Sequence, residues 1–310
     1  MKTPPLEIGG SVPIPVPVTA PQAPTRTADF LSLTKPRLNF LVLITTMVGF
    51  YLGAHEPSVW LVLNTLVGTA LVAGGASALN QVLERDTDAL MRRTRTRPLP
   101  DGRLRPAEGV RFGLLLSAVG LAELSLGVNL RAAGIAAVTL AAYTLAYTPL
   151  KRRTSLATIV GAVPGALPPV IGWAAATDTL SVQGWILFAI VFVWQMPHFL
   201  AIAWMFRDDY RRAGIKLLPV IEPEGRMTGH QAAIYAAALI PASLAPVIVG
   251  MAGLVYLVGS LLLGGLLLTS AFRFAEVRTL SAARAMFFGS ILYLPLLWAF
   301  LLADHARLFL

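Results

Sequence analysis

The chain has 310 residues, 56% of them hydrophobic and 13% charged, with a formal net charge of +9. Soluble domains average about 25% charged residues, so this composition excludes an ordinary soluble globule and predicts a membrane protein with many spans. There is no cysteine, which excludes disulfides, thiolate nucleophiles and zinc–thiolate sites.

Residues 1–29 hold Pro4, Pro5, Pro13, Pro15, Pro17, Pro21 and Pro24 and no sustained apolar run. They read as a disordered, partly extended tail and not as a signal peptide, which needs a continuous apolar core. Residues 30–310 read as a single transmembrane domain. Nine segments are apolar over the length needed to cross a bilayer: 38–55, 59–79, 111–129, 131–149, 156–176, 182–204, 230–250, 252–271 and 285–303. Backbone polar groups in lipid must be satisfied within a helix or a closed barrel, so the predicted fold is an all-α polytopic membrane protein.

Of the 25 Lys and Arg residues, only Arg131 and Arg307 fall outside the N-terminal tail and the loops after spans 2, 4, 6 and 8. The positive-inside rule then puts the N-terminus and those loops in the cytoplasm and the C-terminus on the opposite side. Nothing in this pattern points to nucleic acid, because topology alone accounts for most of the basic residues. It does not account for the acidic ones.

After span 2 the chain reads NQVLERDTDALMRRTRTRPLP, Asn80–Pro100. Asn80, Glu84 and Asp88 are spaced i, i+4, i+8 and fall within an arc of about 80° on one helical face. Two carboxylates and a carboxamide on one face suit Mg²⁺, which prefers oxygen and shares its shell with substrate phosphates. Asp86 points off that face. Arg92, Arg93, Arg95 and Arg97 follow and can grip phosphate oxygens. The competing reading is a solvated helix end laced with salt bridges. The position favours the metal reading, because ionisable groups beside an apolar span are costly and tend to be functional.

RDDYRRAGIKLLP, Arg207–Pro219, echoes this loop four spans later: both begin Arg-Asp, carry paired basic residues and end Leu-Pro. The offset predicts a duplicated four-helix unit with the ninth helix appended, and a site between the halves in a central cavity opening to the cytoplasmic side. Chance similarity of two short loops is the alternative.

With these residues the chain resembles the UbiA-type intramembrane prenyltransferases, whose first motif is Asn-Asp-x-x-Asp-x-x-x-Asp. Asn80, Glu84 and Asp88 match its first, fifth and ninth positions, while Gln81 and Glu84 each replace an Asp. TKPR (Thr34–Arg37), YTPLKRRT (Tyr147–Thr154), GAVPGALPPVIGW (Gly161–Trp173), WQMPHF (Trp194–Phe199) and DYRRAGIKLLPV (Asp209–Val220) extend the resemblance to the heme-modifying branch over about residues 30–305. The family's second motif, Asp-x-x-x-Asp, is missing. Phe206 and Tyr210 stand at its ends with Asp208 and Asp209 between them.

The resemblance implies a reaction. Farnesyl diphosphate loses diphosphate, the farnesyl group joins a vinyl group of heme B, and water completes the side chain of heme O. It implies Mg²⁺ as cofactor, membrane lipid as surroundings, the cell membrane as location and heme A synthase as a possible partner. Asn80, Glu84, Asp88 and Asp209 are the expected catalytic metal ligands. Lys35, Arg37, Arg93, Arg97, Lys151 and Arg212 are the expected diphosphate contacts. The faces of Tyr143, Tyr147, Trp173 and Trp194 suit an allylic cation, although such residues serve equally as packing and interface anchors. His198 is the one histidine inside a span. It reads either as a heme-pocket residue or as a polar side chain bonded across a helix interface. Gly161, Pro164, Gly165, Pro168 and Pro169 predict a kinked fifth span bordering the chamber. Rival readings are prenyl transfer to a quinone precursor or another acceptor, and a membrane transporter.

Overall fold

The computed structural model describes residues 24–56 and 58–309, with side chains as far as residue 305. Among the described residues nine helical segments are long and apolar enough to cross a membrane, in the predicted order. They are α2 (Pro36–Gly53), α3 (Val59–Leu83), α5 (Pro106–Gly127), α6 (Leu130–Ala141) with its continuation to Leu150, α8 (Ala157–Ala166) with α9 (Pro168–Thr177), α10 (Val182–Met205), α13 (Arg226–Ile248), α14 (Leu254–Val277) and α15 (Leu280–Phe309). Several run further than predicted into the charged loops, because hydropathy marks only the part inside hydrocarbon.

The expected tail lies outside the described residues as far as residue 23. From Arg26 it is not extended: α1 (Arg26–Leu33) is a helix capped by the Thr25 hydroxyl. Its Asp29 is buried and ion-paired with Arg103 at 3.1 Å, and the carbonyl of Leu33 accepts from Gln81 Nε2 at 2.8 Å. Those two contacts tie α1 to the end of α3 and to the loop before α5.

Small residues let the spans approach closely where lipid supplies no hydrophobic drive. A Cβ on Gly172 of α9 would lie 1.8 Å from the Thr46 carbonyl oxygen of α2, and one on Gly49 of α2 would lie 2.0 Å from that of Pro169. This contact seats the second half of α2 against α9. That span breaks at Leu167 between α8 and α9, as the prolines predict, and it is the most buried of the nine.

The two halves repeat in backbone detail. The second span, α3, ends at Glu84 (φ −96°, ψ 5°) and restarts as the short α4 (Arg85–Ala89). The sixth, α10, ends at Phe206 (φ −112°, ψ 19°) and restarts as α11 (Arg207–Arg212). Glu84 N donates to Asn80 O and Asp88 N to Glu84 O; likewise Phe206 N donates to Ile202 O and Tyr210 N to Phe206 O. Asn80, Glu84 and Asp88 therefore correspond to Ile202, Phe206 and Tyr210, and the loop echo is structural.

Candidate active site

The break at Glu84 does not scatter the predicted face, because the two i→i−4 hydrogen bonds carry the helical register across it. Asn80 and Asp88 are each only 1% exposed. Lys35 Nζ donates to Asn80 Oδ1 at 3.1 Å, Lys151 Nζ to Glu84 Oε1 at 2.7 Å, and Arg97 Nη1 to Asp88 Oδ2 at 2.7 Å. Each of the three residues expected to hold the metal thus accepts from one cation. Salt bridges do finish the helix, but they are largely buried, Asp88 completely and its partner Arg97 in part, an arrangement that costs desolvation and is weak evidence of a purely stabilising role.

Local structure explains how the cations reach the acids. Lys35 sits at φ 49°, a left-handed conformation unfavourable for a residue with a Cβ, directly before Pro36 opens α2. Burial, and then Arg97 and Lys151, push its ammonium down to about 7. Arg97 lies in a loop pinned by buried Leu99 and Leu104, which pack with Leu33 and Ala78. Lys151 follows a π-helical turn, Ala142–Tyr147, and α7 (Thr148–Leu150). Pro149 has no N–H to give and its ring crowds the carbonyl four residues back, so the wider turn relieves both. Burial alone pushes the Lys151 ammonium down, but Tyr147 and Glu84 outweigh it and hold it above its ordinary range.

The π turn aims Tyr143 and Tyr147 at the acids. The Tyr143 hydroxyl donates to Asn80 Oδ1 at 3.4 Å, the two rings lie 5.5 Å apart, and Lys151 Nζ sits 4.2 Å over the Tyr147 ring. Thr148, which sequence reasoning missed, accepts from Asn80 Nδ2 at 3.0 Å and fixes which way the amide faces. A side chain one residue past a π turn carries no periodic signal. A cavity of about 350 Å³ opens beside this group, lined by Glu84, Thr87, Thr148, Lys151, Arg152 and Ile215.

Other expected residues lie elsewhere. Arg37 is exposed. Arg93 is exposed too, with its guanidinium 5.2 Å from the centroid of the Phe206 ring. Asp209 is ion-paired with Arg212. Among the described residues no three Asp, Glu or His side chains converge on one point, so Asp209 does not join Glu84 and Asp88. In the repeat register it matches Thr87, off the ligand face. Tyr210 is on that face: it packs with Met91, Ala213 and Ile215, and burial raises its phenol. Through this cluster the two charged loops meet, as predicted.

Trp173 belongs to the core near Gly53 and Gly184, at the end of the bundle away from Asn80. It is thereby set apart from Tyr143 and Tyr147, with which the sequence groups it as a face for the allylic cation, because the fifth span meets Tyr147 at Gly161 and carries Trp173 to its other end. Trp194 and His198 form a separate group between α10 and α15. Trp194 Nε1 donates to Ser290 O at 2.7 Å, and His198 stacks on Trp194 and Phe287 at 5.2 and 4.9 Å. His198 Nδ1 lies 2.8 Å from Ser290 Oγ, whose own proton goes to Phe287 O at 2.6 Å. Ser290 must then accept, so Nδ1 carries the histidine proton and Nε2 keeps its lone pair.

A sequence pattern for the UbiA prenyltransferase family matches residues 42–302. The chain belongs to the UbiA prenyltransferase family. Among its relatives, the protoheme IX farnesyltransferase of Solibacter usitatus is 51% identical over 90% of this chain and 99% of its own length. That of Myxococcus xanthus is 46% identical over 92% and 97%. The fold matches an apo UbiA homolog from Aeropyrum pernix at TM-score 0.70 and 20% identity, over 86% of this chain and 98% of that one. It also matches a UbiA homolog from Archaeoglobus fulgidus bound to GPP and Mg²⁺, at TM-score 0.62 and 16% identity, over 88% and 99%.

Proposed function

We propose that this UbiA-family enzyme transfers the farnesyl group of farnesyl diphosphate to a vinyl group of heme B, with addition of water, giving heme O and diphosphate. One observation carries the diphosphate half: a row of oxygen side chains, Asn80 and Asp88 buried and Glu84 between them facing the cavity, each held by a cation that can turn to phosphate. The acceptor follows from the relatives, which are protoheme IX farnesyltransferases along nearly their whole length.

The ligand row fits Mg²⁺: it is oxygen throughout, two of its members are anionic, and all three lie on one face. Bound by Asn80, Glu84 and Asp88, the ion would supply positive charge to the diphosphate as the allylic C–O bond breaks. Lys35, Lys151 and Arg97 then leave Asn80, Glu84 and Asp88 and take the oxygens of the leaving group, where charge develops. Tyr143 and Tyr147 present ring faces beside them to the farnesyl cation. Burial keeps water from the cation until it meets the vinyl group.

His198 is assigned to the heme pocket. Its free Nε2 is the atom a heme iron takes, and Ser290 orients the ring by the other nitrogen. The Lys and Arg bias supports an enzyme of the cell membrane with its diphosphate site on the cytoplasmic side. The product suits a following heme A synthase.

The test uses purified protein in detergent with Mg²⁺, farnesyl diphosphate and heme B, read by mass spectrometry for the farnesylated, hydrated porphyrin. Asp88→Asn runs beside it. Product from the parent and a loss of 100-fold or more in the variant, roughly the cost of losing one charge-stabilising group, supports the reading. Prenylation of a quinone precursor in place of heme overturns the acceptor, and no diphosphate release with any acceptor overturns the reaction.

A further inference from the structure

The repeat makes the two halves comparable position by position, and they are not equivalent. Where the first half offers Asn80, Glu84 and Asp88, the second offers Ile202, Phe206 and Tyr210. None of these three is a carboxylate. The acids that remain on the second loop are each engaged with a neighbouring arginine, Asp208 with Arg211 and Asp209 with Arg212. In place of a ligand set, the second half has a cation already seated: the Arg93 guanidinium, over Phe206. Met91, two residues before Arg93, packs with Tyr210 and Ile215, which puts Arg93 at the rim of the same group.

From this we infer that the site holds the diphosphate with one divalent cation on the first half, and that Arg93, seated over Phe206, does the work of a second. The inference rests on the diphosphate reading above. Charge agrees with it. The buried group has three cations, Lys35, Lys151 and Arg97, against Glu84 and Asp88, one net positive charge. A trianionic prenyl diphosphate with one Mg²⁺ brings one net negative charge and cancels it, which leaves the exposed Arg93 guanidinium as the one extra positive charge, at the rim. A second Mg²⁺ would leave two uncompensated positive charges in a buried site, which is costly. An arginine offers directional donors at the rim and needs no carboxylates of its own.

The experiment counts bound Mn²⁺ per chain by electron paramagnetic resonance in the presence of saturating inorganic pyrophosphate. One ion is expected in the parent, in Asp208→Asn and in Asp209→Asn. The variant Phe206→Asp/Tyr210→Asp, which restores two acids at the register positions, is expected to bind two. Arg93→Ala keeps one ion and binds pyrophosphate about tenfold or more weakly, as for loss of a hydrogen bond to a charged group. Two ions in the parent, with one lost in Asp209→Asn, overturns the inference while leaving the diphosphate reading intact. Unchanged pyrophosphate affinity in Arg93→Ala overturns the role given to Arg93. No bound Mn²⁺ in any variant overturns the diphosphate reading, and this inference with it.

Discussion

Replacing Arg97 with alanine isolates the strongest electrostatic feature of the site. Asp88 has a side chain only 1% exposed, and Arg97, itself 26% exposed, is its ion-pair partner at 2.7 Å. The Thr94 hydroxyl bonds the Asp88 backbone carbonyl and not its carboxylate, so it offers the charge no relief. Removing one partner of a buried pair costs about 3–5 kcal/mol, because the survivor is left charged and dry. Arg97 is partly wet, which sets the expectation near the lower end, about 3 kcal/mol. At roughly 2–4 °C per kcal/mol for a chain of about 200 residues, this lowers the melting temperature by at least about 5 °C. The assay is thermal unfolding in detergent with EDTA, followed by tryptophan fluorescence. The double variant Arg97→Ala/Asp88→Asn recovers most of the loss, since no unpaired charge remains. Added Mg²⁺ raises the melting temperature of Arg97→Ala more than that of the parent, because the ion meets a vacant carboxylate there. If Arg97→Ala melts with the parent in EDTA, Asp88 is not a buried carboxylate held by one guanidinium, and the reasoning fails.

Lys35 gives a pH signature. With its ammonium pushed down to about 7 in the free site, it is already charged below that pH and must take up a proton to bind an anion above it. Diphosphate affinity therefore falls as pH rises past about 7, and calorimetry at pH 8 in buffers of different ionisation heat should find more proton uptake for the parent than for Lys35→Gln. Equal uptake counts against it. Gly172→Ala drives a methyl group to 1.8 Å from the Thr46 carbonyl oxygen, so α2 must move; overpacking of this kind costs about 1–3 kcal/mol, and unchanged unfolding would contradict the close α2–α9 contact. His198→Ala loses the Ser290 bond, worth about 1 kcal/mol, and on the heme reading also loses heme affinity by optical titration. Unchanged affinity and turnover would return His198 to packing alone.

The span count was legible because hydropathy over about 20 residues is what a bilayer demands of a helix. The acidic face was legible for the same kind of reason. Asn80, Glu84 and Asp88 keep the period of a helix, and the structure preserves that period across the break at Glu84. The cation that each of these three side chains meets was not legible. Lys35, Arg97 and Lys151 come from three different segments and arrive by three irregular routes: a left-handed residue, a pinned loop and a π turn. Asp209 shows the opposite failure. Residue type made it a plausible ligand, but side-chain direction is set by register, and register gives that place to Tyr210. Trp173 stands apart from Tyr147 for a simpler reason: hydropathy marks a span but not depth within it, and Trp173 lies far along the span from Gly161, the residue that meets Tyr147.

A site whose acids are already paired has a further consequence for how its ligands enter. Metal alone would have to separate Asp88 from Arg97 and Glu84 from Lys151 and leave both cations buried without anions. Pyrophosphate alone would draw the same cations away and leave the carboxylates bare. Each ligand therefore pays a cost that the other removes, and their binding must be cooperative by the same factor in both directions. Coupling between two sites is typically about 1–3 kcal/mol, and two rearranged buried pairs put the expectation at its upper end, on the order of 100-fold. Titrating Mn²⁺ with and without saturating inorganic pyrophosphate measures it, after correction for the Mn²⁺ that pyrophosphate binds free in solution. Lys151→Met/Glu84→Gln, with one pair removed at the outset, should show a smaller factor. If the parent binds Mn²⁺ equally well with and without pyrophosphate, the cations do not exchange partners, and the three ion contacts seen around Asn80, Glu84 and Asp88 are structural.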